Sequence, residues 1–409
     1  MNDDPFQLSM STKYVEVSDD DDSSSSDESS YVKCAHVQSV KKFLPPDPEE
    51  VACFLEDEIK ESSTSGECNL SQMLLSAVPA GLPLEFLVSL TLSDNKLSKL
   101  NEDMFEGRNC YNLIKFDARS NNLTSIPKSL LKLSKLEILL LDHNCITTLP
   151  FYKDDSKNEV FLPALKRVGL EFNDLQRFPI EFFTHCPLLE DIFLGQNDSM
   201  LEKPVPFNDL LDSPIPKQIA SENEEKNSDR RVTVKVDNRP RFLQQMKDEC
   251  WDVKLPWLDV SLHKVYPDKV LGFLYLGSLR TAQTVTVYQD LNIGYILSVA
   301  RDLDVRVEPG MHHLVLPVDD LPGEDFRQLF DKAFDFIDKA KKDNKGVLLH
   351  CFAGLSRSVT VAAAYLMNRL GMTRDDALDL IKQARPAAQP NPGFMEMLGD
   401  YEIQLGLGQ

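Results

Sequence analysis

His350-Cys351-Phe352-Ala353-Gly354-Leu355-Ser356-Arg357-Ser358 holds a thiol and a guanidinium six positions apart around a glycine. Upstream, Gly346-Val347-Leu348-Leu349 is a short apolar run suited to a buried strand. Downstream, Ser358 to Leu370, with Ala362-Ala363-Ala364-Tyr365-Leu366-Met367 inside it, reads as a helix. The nonapeptide therefore joins a strand end to a helix N-terminus. Backbone N–H groups converge at such a junction and the helix dipole adds positive potential, so the loop is a cup for an anion.

The residue types say which anion. At the bottom of the cup the dipole, the amides and Arg357 all favour thiolate over thiol at Cys351, and the thiolate is the nucleophilic form. The planar fork of Arg357 can bind two oxygens of a phosphate, which a lysine would do less well. Phe352, Ala353, Gly354, Leu355 and Ser356 supply the loop amides. The Ser358 hydroxyl can donate to the sulfur when it leaves again, and His350 can orient the cysteine through a backbone hydrogen bond. A buried cysteine acting as a small hydrophobe is the competing reading.

The motif resembles the loop of the cysteine-dependent protein phosphatases, in the dual-specificity branch, which reads His-Cys-x-x-Gly-x-Ser-Arg-Ser. The resemblance covers about the last third of the chain, from near Val270 to near Tyr401. Leu274-Tyr275-Leu276-Gly277-Ser278 looks like the opening strand and turn of that domain, Ile296-Leu297-Ser298-Val299 like a central strand, and Arg385-Pro386 with Pro390-Asn391-Pro392-Gly393-Phe394 like its closing segment. Ser298 departs from the asparagine more usual there. The resemblance implies an α/β catalytic domain that needs neither metal nor cofactor. It also implies a general acid at the second aspartate of Asp319-Asp320, which follows the strand-like run Leu314-Val315-Leu316-Pro317-Val318 and lies 31 residues before Cys351. Asp319 and Asp325 are the alternatives to Asp320, and a merely solvated acidic loop is the plain reading. The acid would then serve as the base that activates water.

Composition bounds the rest. A chain of 409 residues exceeds a single typical core. Its 65 acidic and 44 basic residues leave a net charge of −21, which argues against nucleic acid as a partner. The eight cysteines are dispersed, with no C-x-x-C pair or metal-ligand spacing. Met1-Asn2-Asp3-Asp4 is acidic where a signal peptide is basic, and no apolar run reaches the roughly 18 residues that span a bilayer. The expected setting is the reducing cytoplasm, with the nucleus as a second location and no membrane partner.

Residues 87 to 197 carry an internal repeat. Leu87-x-x-Leu90-x-Leu92-x-x-Asn95-x-Leu97 recurs as Leu113, Phe116, Ala118, Asn121, Leu123; as Leu136, Leu139, Leu141, Asn144, Ile146; as Leu165, Val168, Leu170, Asn173, Leu175; and as Leu189, Ile192, Leu194, Asn197. The asparagines are spaced 26, 23, 29 and 24 residues apart. This is a leucine-rich-repeat pattern, expected to stack as a solenoid, with residues 152–159 as a polar surface insert and Asn69-Leu70 to Val78-Pro79 as a degenerate capping repeat. The outward positions Lys115, Asp117, Arg119, Ile138, Leu140, Asp142, Arg167, Glu171, Asp191 and Phe193 would form a concave face. Leu140 and Phe193 exposed there would mark a protein-binding site.

The expected organisation is therefore multidomain, a leucine-rich-repeat solenoid followed by an α/β dual-specificity phosphatase domain. Its segments are an acidic disordered tail (1–45), the repeats with their cap (46–212), a charged linker (213–262) and the catalytic domain (263–409). Trp251 and Trp257 are expected to pack on the start of the catalytic domain. Within the linker, Arg230-Arg231-Val232-Thr233-Val234 resembles the docking motif that mitogen-activated protein kinases recognise in their phosphatases, an ordinary edge strand or linker being the other reading. The architecture looks like that of mitogen-activated protein kinase phosphatases bearing leucine-rich repeats. The expected substrate is a phosphoprotein, such as one of those kinases. A signalling scaffold in which repeat-mediated binding dominates is the alternative function.

Overall fold

The computed structural model describes residues 48–151, 161–213, 215, 231–301, 303, 305 and 307–407. The acidic tail, the insert 152–159 and Arg230 lie outside these residues. Among the described residues no helix is long and apolar enough to cross a membrane.

The repeats form one parallel sheet whose strand order is the chain order: β1 (Glu67–Asn69), β2 (Ser89–Thr91), β3 (Lys115–Asp117), β4 (Ile138–Leu140), β5 (Arg167–Gly169), β6 (Asp191–Phe193), β7 (Val232–Asp237) and β8 (Leu258–His263). Helix α1 (Pro48–Ser65) precedes it. The middle residue of each repeat strand, Leu90, Phe116, Leu139, Val168 and Ile192, points into the core and is fully buried. Burial on one face only requires this alternation.

Each repeat asparagine closes the turn after its strand and ties it to the preceding repeat. Asn121 donates to Leu92 O (2.9 Å) and accepts from Leu97 N (2.9 Å). Asn144 does the same with Ala118 O (3.0 Å) and Leu123 N (3.0 Å), Asn173 with Leu141 O and Ile146 N, and Asn197 with Leu170 O and Leu175 N. A carboxamide is needed because one side chain must donate and accept at once. The residue before each asparagine, Asp94, Ser120, His143, Phe172 and Gln196, is left-handed, with φ between 53° and 60°.

The structure corrects the reading of 213–262 as a linker. Residues 232–237 and 258–263 are strands of the repeat sheet, with Val232, Val234 and Val236 buried. They lack the asparagine signature and stand beside charged residues, which masks their alternation. Between them lie α2 (Pro240–Asp248) and α3 (Trp251–Lys254). Trp251 stacks on Phe207 and meets Phe242 edge-on, and Trp257 packs against Phe183. Both tryptophans therefore belong to the repeat core rather than to the start of the catalytic domain. Because β7 lies between β6 and β8, it is not an edge strand either.

A second sheet follows, in the order β12-β11-β13-β10-β9. Its strands are β9 (Asp268–Lys269), β10 (Leu274–Gly277), β11 (Ile293–Val299), β12 (His312–Leu316) and β13 (Gly346–His350). Only the β9–β10 pairing is antiparallel. Helices α4 (Phe330–Lys342), α5 (Arg357–Leu370), α6 (Arg374–Ala384) and α7 (Pro392–Leu405) complete this α/β region. Strand β13 lies between β11 and β10 and is buried along its whole length, as an uninterrupted apolar run must be. Helix α5 is buried from Val359 to Met367, packed between β13 and the helices α4, α6 and α7.

The two sheets meet at Arg280, in the single helical turn Leu279–Ala282. Its guanidinium bridges Glu171 Oε1 (3.1 Å) and Asp237 Oδ1 (3.3 Å), both on the repeats. Gln196 adds a hydrogen bond to Thr284 Oγ1 (2.8 Å). Gly195 makes room for this contact, since a Cβ there would lie 2.6 Å from Arg280 Nη1.

Candidate active site

The loop after β13 turns at Gly354, whose φ of +70° suits a residue without a Cβ. A side chain there would also meet Gly277 O at 2.2 Å. The tight turn leaves Cys351 Sγ at the loop's floor, 1% exposed. It accepts from Gly354 N (3.2 Å) and from Ser358 Oγ (3.4 Å). Burial pushes the thiols of Cys68 and Cys110 up to about 11 and about 12, which keeps them protonated and inert.

The loop carbonyls are all turned outward. Phe352 O accepts from Leu279 N (3.0 Å), Ala353 O from Arg385 Nη2 (2.9 Å), Gly354 O from Arg385 Nε (2.7 Å) and Leu355 O from Gln389 N (2.8 Å). Peptide planes pinned in this way direct their N–H groups to the opposite side, where the sulfur lies. Arg357, the first residue of α5, donates to Val318 O (3.2 Å). Its Nε is buried beside the cup without a hydrogen bond and faces the Asp320 carboxylate.

Three aspartates were candidates for the acid, and their settings differ. Asp319 points to Arg301 (3.1 Å). Asp325 is gripped by Arg327, whose hydrogen bonds hold its carboxyl below the usual range. Asp320 is the one brought to the loop. Its Oδ1 accepts from Ser356 Oγ (2.7 Å) and Asn391 Nδ2 (2.9 Å), and its Oδ2 lies 3.5 Å from Arg357 Nε. Asn391 also accepts from Phe394 N as the N-cap of α7, so one side chain both starts a helix and positions a carboxylate.

His350 is wholly buried. Its Nδ1 lies 3.4 Å from Cys351 O and its Nε2 2.6 Å from Ser298 Oγ, which is also 2.8 Å from His313 Nε2. Burial, reinforced by the nearby His313 and Arg357, pushes its pKa down to about 4, so the ring is neutral at pH 7. Cys351, Arg357, Asp320, Ser358, His350 and the loop from Phe352 to Ser356 thus converge. Sequence reasoning missed Asn391, Arg385, Ser298 and His313 as parts of this network. Asn391 and Arg385 stood in a segment read only as a family landmark, and their partners are remote in sequence.

Comparison with known proteins agrees with this geometry. Residues 274–404 match the family described as dual specificity phosphatase, catalytic domain, and residues 85–146 match leucine rich repeat. Dual specificity protein phosphatase 6 of Homo sapiens is 40% identical over 144 residues, which are 35% of this chain and 38% of that protein. Dual specificity protein phosphatase 1 of Arabidopsis thaliana is 43% identical over 136 residues, 33% of this chain and 69% of that protein. Among solved structures, human DUSP28 is 32% identical, with 34% of this chain and 97% of that one covered and a TM-score of 0.33. The chain spans well under half the length of the human relative, and the match lies in the α/β region around Cys351. By that region, the chain belongs to the dual specificity phosphatase family.

Proposed function

We propose that the chain hydrolyses phosphotyrosine, phosphoserine and phosphothreonine in proteins through a cysteinyl-phosphate intermediate. The observation that carries this reading is Cys351 Sγ on the floor of an amide-lined loop, with Arg357 and Asp320 beside it. The thiolate attacks phosphorus and the bond to the leaving oxygen breaks. Asp320 protonates that oxygen, Arg357 holds the equatorial oxygens, and the loop amides stabilise the charge that develops there. Asp320 then takes a proton from water as it attacks the phosphoenzyme, and the S–P bond breaks. Ser358 Oγ, 3.4 Å from the sulfur, stabilises the departing thiolate. His350 holds the cysteine backbone. Rapid-quench analysis with a radiolabelled activated aryl phosphate, whose leaving group needs no proton, tests the scheme. Label should accumulate on the protein in Asp320→Asn and be absent in Cys351→Ser, while equal labelling of both would overturn it.

The catalytic region would run from about 264 to 409, and the repeat region, a solenoid, from the cap to His263, because β8 closes its sheet. The outward face is the proposed protein-binding surface, and the side chains that already pair there narrow it. Lys235 covers the Phe193 ring at 4.4 Å, Arg280 occupies Glu171, and the pairs Arg119–Asp117 and Arg167–Asp191 neutralise one another. What remains for a phosphoprotein partner centres on Lys115, Ile138 and Leu140. A mitogen-activated protein kinase would have to be recruited there rather than at 230–234, where Val232 and Val234 are buried in the repeat core. A pull-down of phosphorylated kinase with Ile138→Asp/Leu140→Asp against the parent chain tests the surface.

A further inference from the structure

We propose that Arg385, fixed by Asp268, is a positioning residue that holds the phosphate loop in its anion-receiving shape. The inference deepens the phosphatase reading and rests on it. Arg385 supplies two of the four donors that hold the loop carbonyls outward, at Ala353 and Gly354. Those two peptides flank the left-handed turn at Gly354, the place where the backbone is held least by local preference. If the guanidinium is removed, Ala353 O, which is exposed, can turn to water, but Gly354 O loses its partner in a half-buried setting. The peptide after Gly354 then regains a hydrogen bond by rotating, which swings the Leu355 N–H out of the cup.

The guanidinium is itself held. Its Nη1 donates to Asp268 Oδ2 at 2.7 Å, with both side chains largely buried, so the fork is fixed in one rotamer with Nε and Nη2 aimed at the loop. Lys264 reaches the other oxygen of Asp268 at 2.6 Å, an exposed contact that adds little. Asp268 lies on β9, five residues after the last strand of the repeat sheet ends at His263. The short strap between the two sheets thus carries the anchor of the loop's positioning residue. A lysine at 385 would keep the positive charge yet could not serve Ala353 O, Gly354 O and Asp268 together in one plane. This separates positioning from simple electrostatic attraction of phosphate.

The test uses the full-length chain carrying Cys351→Ser and inorganic tungstate as the probe, with affinity read by calorimetry and folding by thermal unfolding. Arg385→Ala and Arg385→Lys should each weaken tungstate binding by roughly 10–100-fold, the range expected when a binding group is misplaced by about 1 Å. Asp268→Asn should weaken it less, by about 3–10-fold, and should add nothing to Arg385→Ala, since the two residues act as one unit. Should Arg385→Ala fail to fold, Arg385→Lys and Asp268→Asn carry the test. Unchanged tungstate affinity, an Arg385→Lys variant that binds like its parent, or a parent that binds no tungstate would each overturn the proposal. Turnover of para-nitrophenyl phosphate by the unmutated chain is measured separately. Its absence would count against the phosphatase reading while Arg385-dependent tungstate binding still upheld the positioning role.

Discussion

Ser298 Oγ lies 2.6 Å from Nε2 of the wholly buried His350. One hydroxyl serves two imidazoles here, because the same oxygen is 2.8 Å from His313 Nε2. With His350 Nδ1 donating to Cys351 O, Ser298 donates to His350 and accepts from His313, which fixes both tautomers. Ser298→Ala should leave His350 Nε2 unsatisfied at a cost of about 1–3 kcal/mol. Thermal unfolding would show it, and Ser298→Asn, the residue more usual in the family, should recover most of the loss. A melting temperature unmoved by Ser298→Ala would mean that the histidine has no need of the hydroxyl.

Asn391 sets the place of Asp320, so two variants should behave alike. Asp320→Asn should slow hydrolysis of a phosphothreonine peptide by about 10²–10⁴-fold, the usual value of general acid–base assistance, and that of an activated aryl phosphate far less. Asn391→Ala should show the same selective pattern at smaller amplitude, about tenfold on the peptide, since the carboxylate remains but wanders. Steady-state rates on the two substrates measure both effects. Equal losses on both substrates would place the acid elsewhere.

Arg280 neutralises Glu171 and the buried Asp237 at the junction of the sheets. Arg280→Ala should remove the cation that pairs with Asp237, leaving only the nearby Arg239, and cost about 2–4 kcal/mol, somewhat less than a fully buried pair because Arg280 is partly exposed. Arg280→Lys should not rescue, as a single ammonium cannot span both carboxylates. Adding Asp237→Asn to Arg280→Ala should restore part of the loss in a double-mutant cycle. Chemical denaturation of the four chains gives the coupling directly, and strictly additive effects would refute it.

A buried and a half-buried group give the stability opposite slopes with pH. His350, pushed down from 6.5 to about 4 by burial, lends stability that is complete above pH 6.5 and is lost as pH falls through about 4. Asp142, pushed up from 3.8 to about 6 chiefly by burial and then by the neighbouring Glu171, does the reverse. Its contribution is complete below pH 3.8 and is lost as pH rises through about 6. Asp142→Asn removes the opposing slope and keeps the acceptor for Glu171 N. Between pH 4 and 6 the variant should therefore gain about 1–3 kcal/mol more stability than the parent chain. Parallel melting curves against pH would show that Asp142 titrates normally.

The legible parts of the chain were those in which a local pattern has one physical meaning. An apolar run such as Val347-Leu348-Leu349 must be buried on both faces, and a cysteine and an arginine around Gly354 must share a turn. The asparagine period announced each repeat because no other side chain closes that turn with donor and acceptor together. Strands β7 and β8 escaped because Val232, Val234 and Val236 alternate without that signature. The tryptophans were assigned to the wrong core because Trp251 finds Phe207 and Trp257 finds Phe183 from positions far along the chain. Arg385 and Asp268 meet across 117 positions, and no local rule connects them.

The asparagine ladder also governs how the molecule comes apart. Because the carboxamide of each repeat closes a turn of the one before it, a repeat that melts leaves the asparagine of its C-terminal neighbour without those partners. The C-terminal end of the ladder is clamped through Gln196 and Arg280 to the catalytic sheet, whereas Asn95 at the other end bonds back to the cap alone, at Leu70, Met73 and Leu75. Opening should thus propagate like a zipper from the cap, and the repeats closest to Cys351 should be the last to exchange their amide protons with solvent.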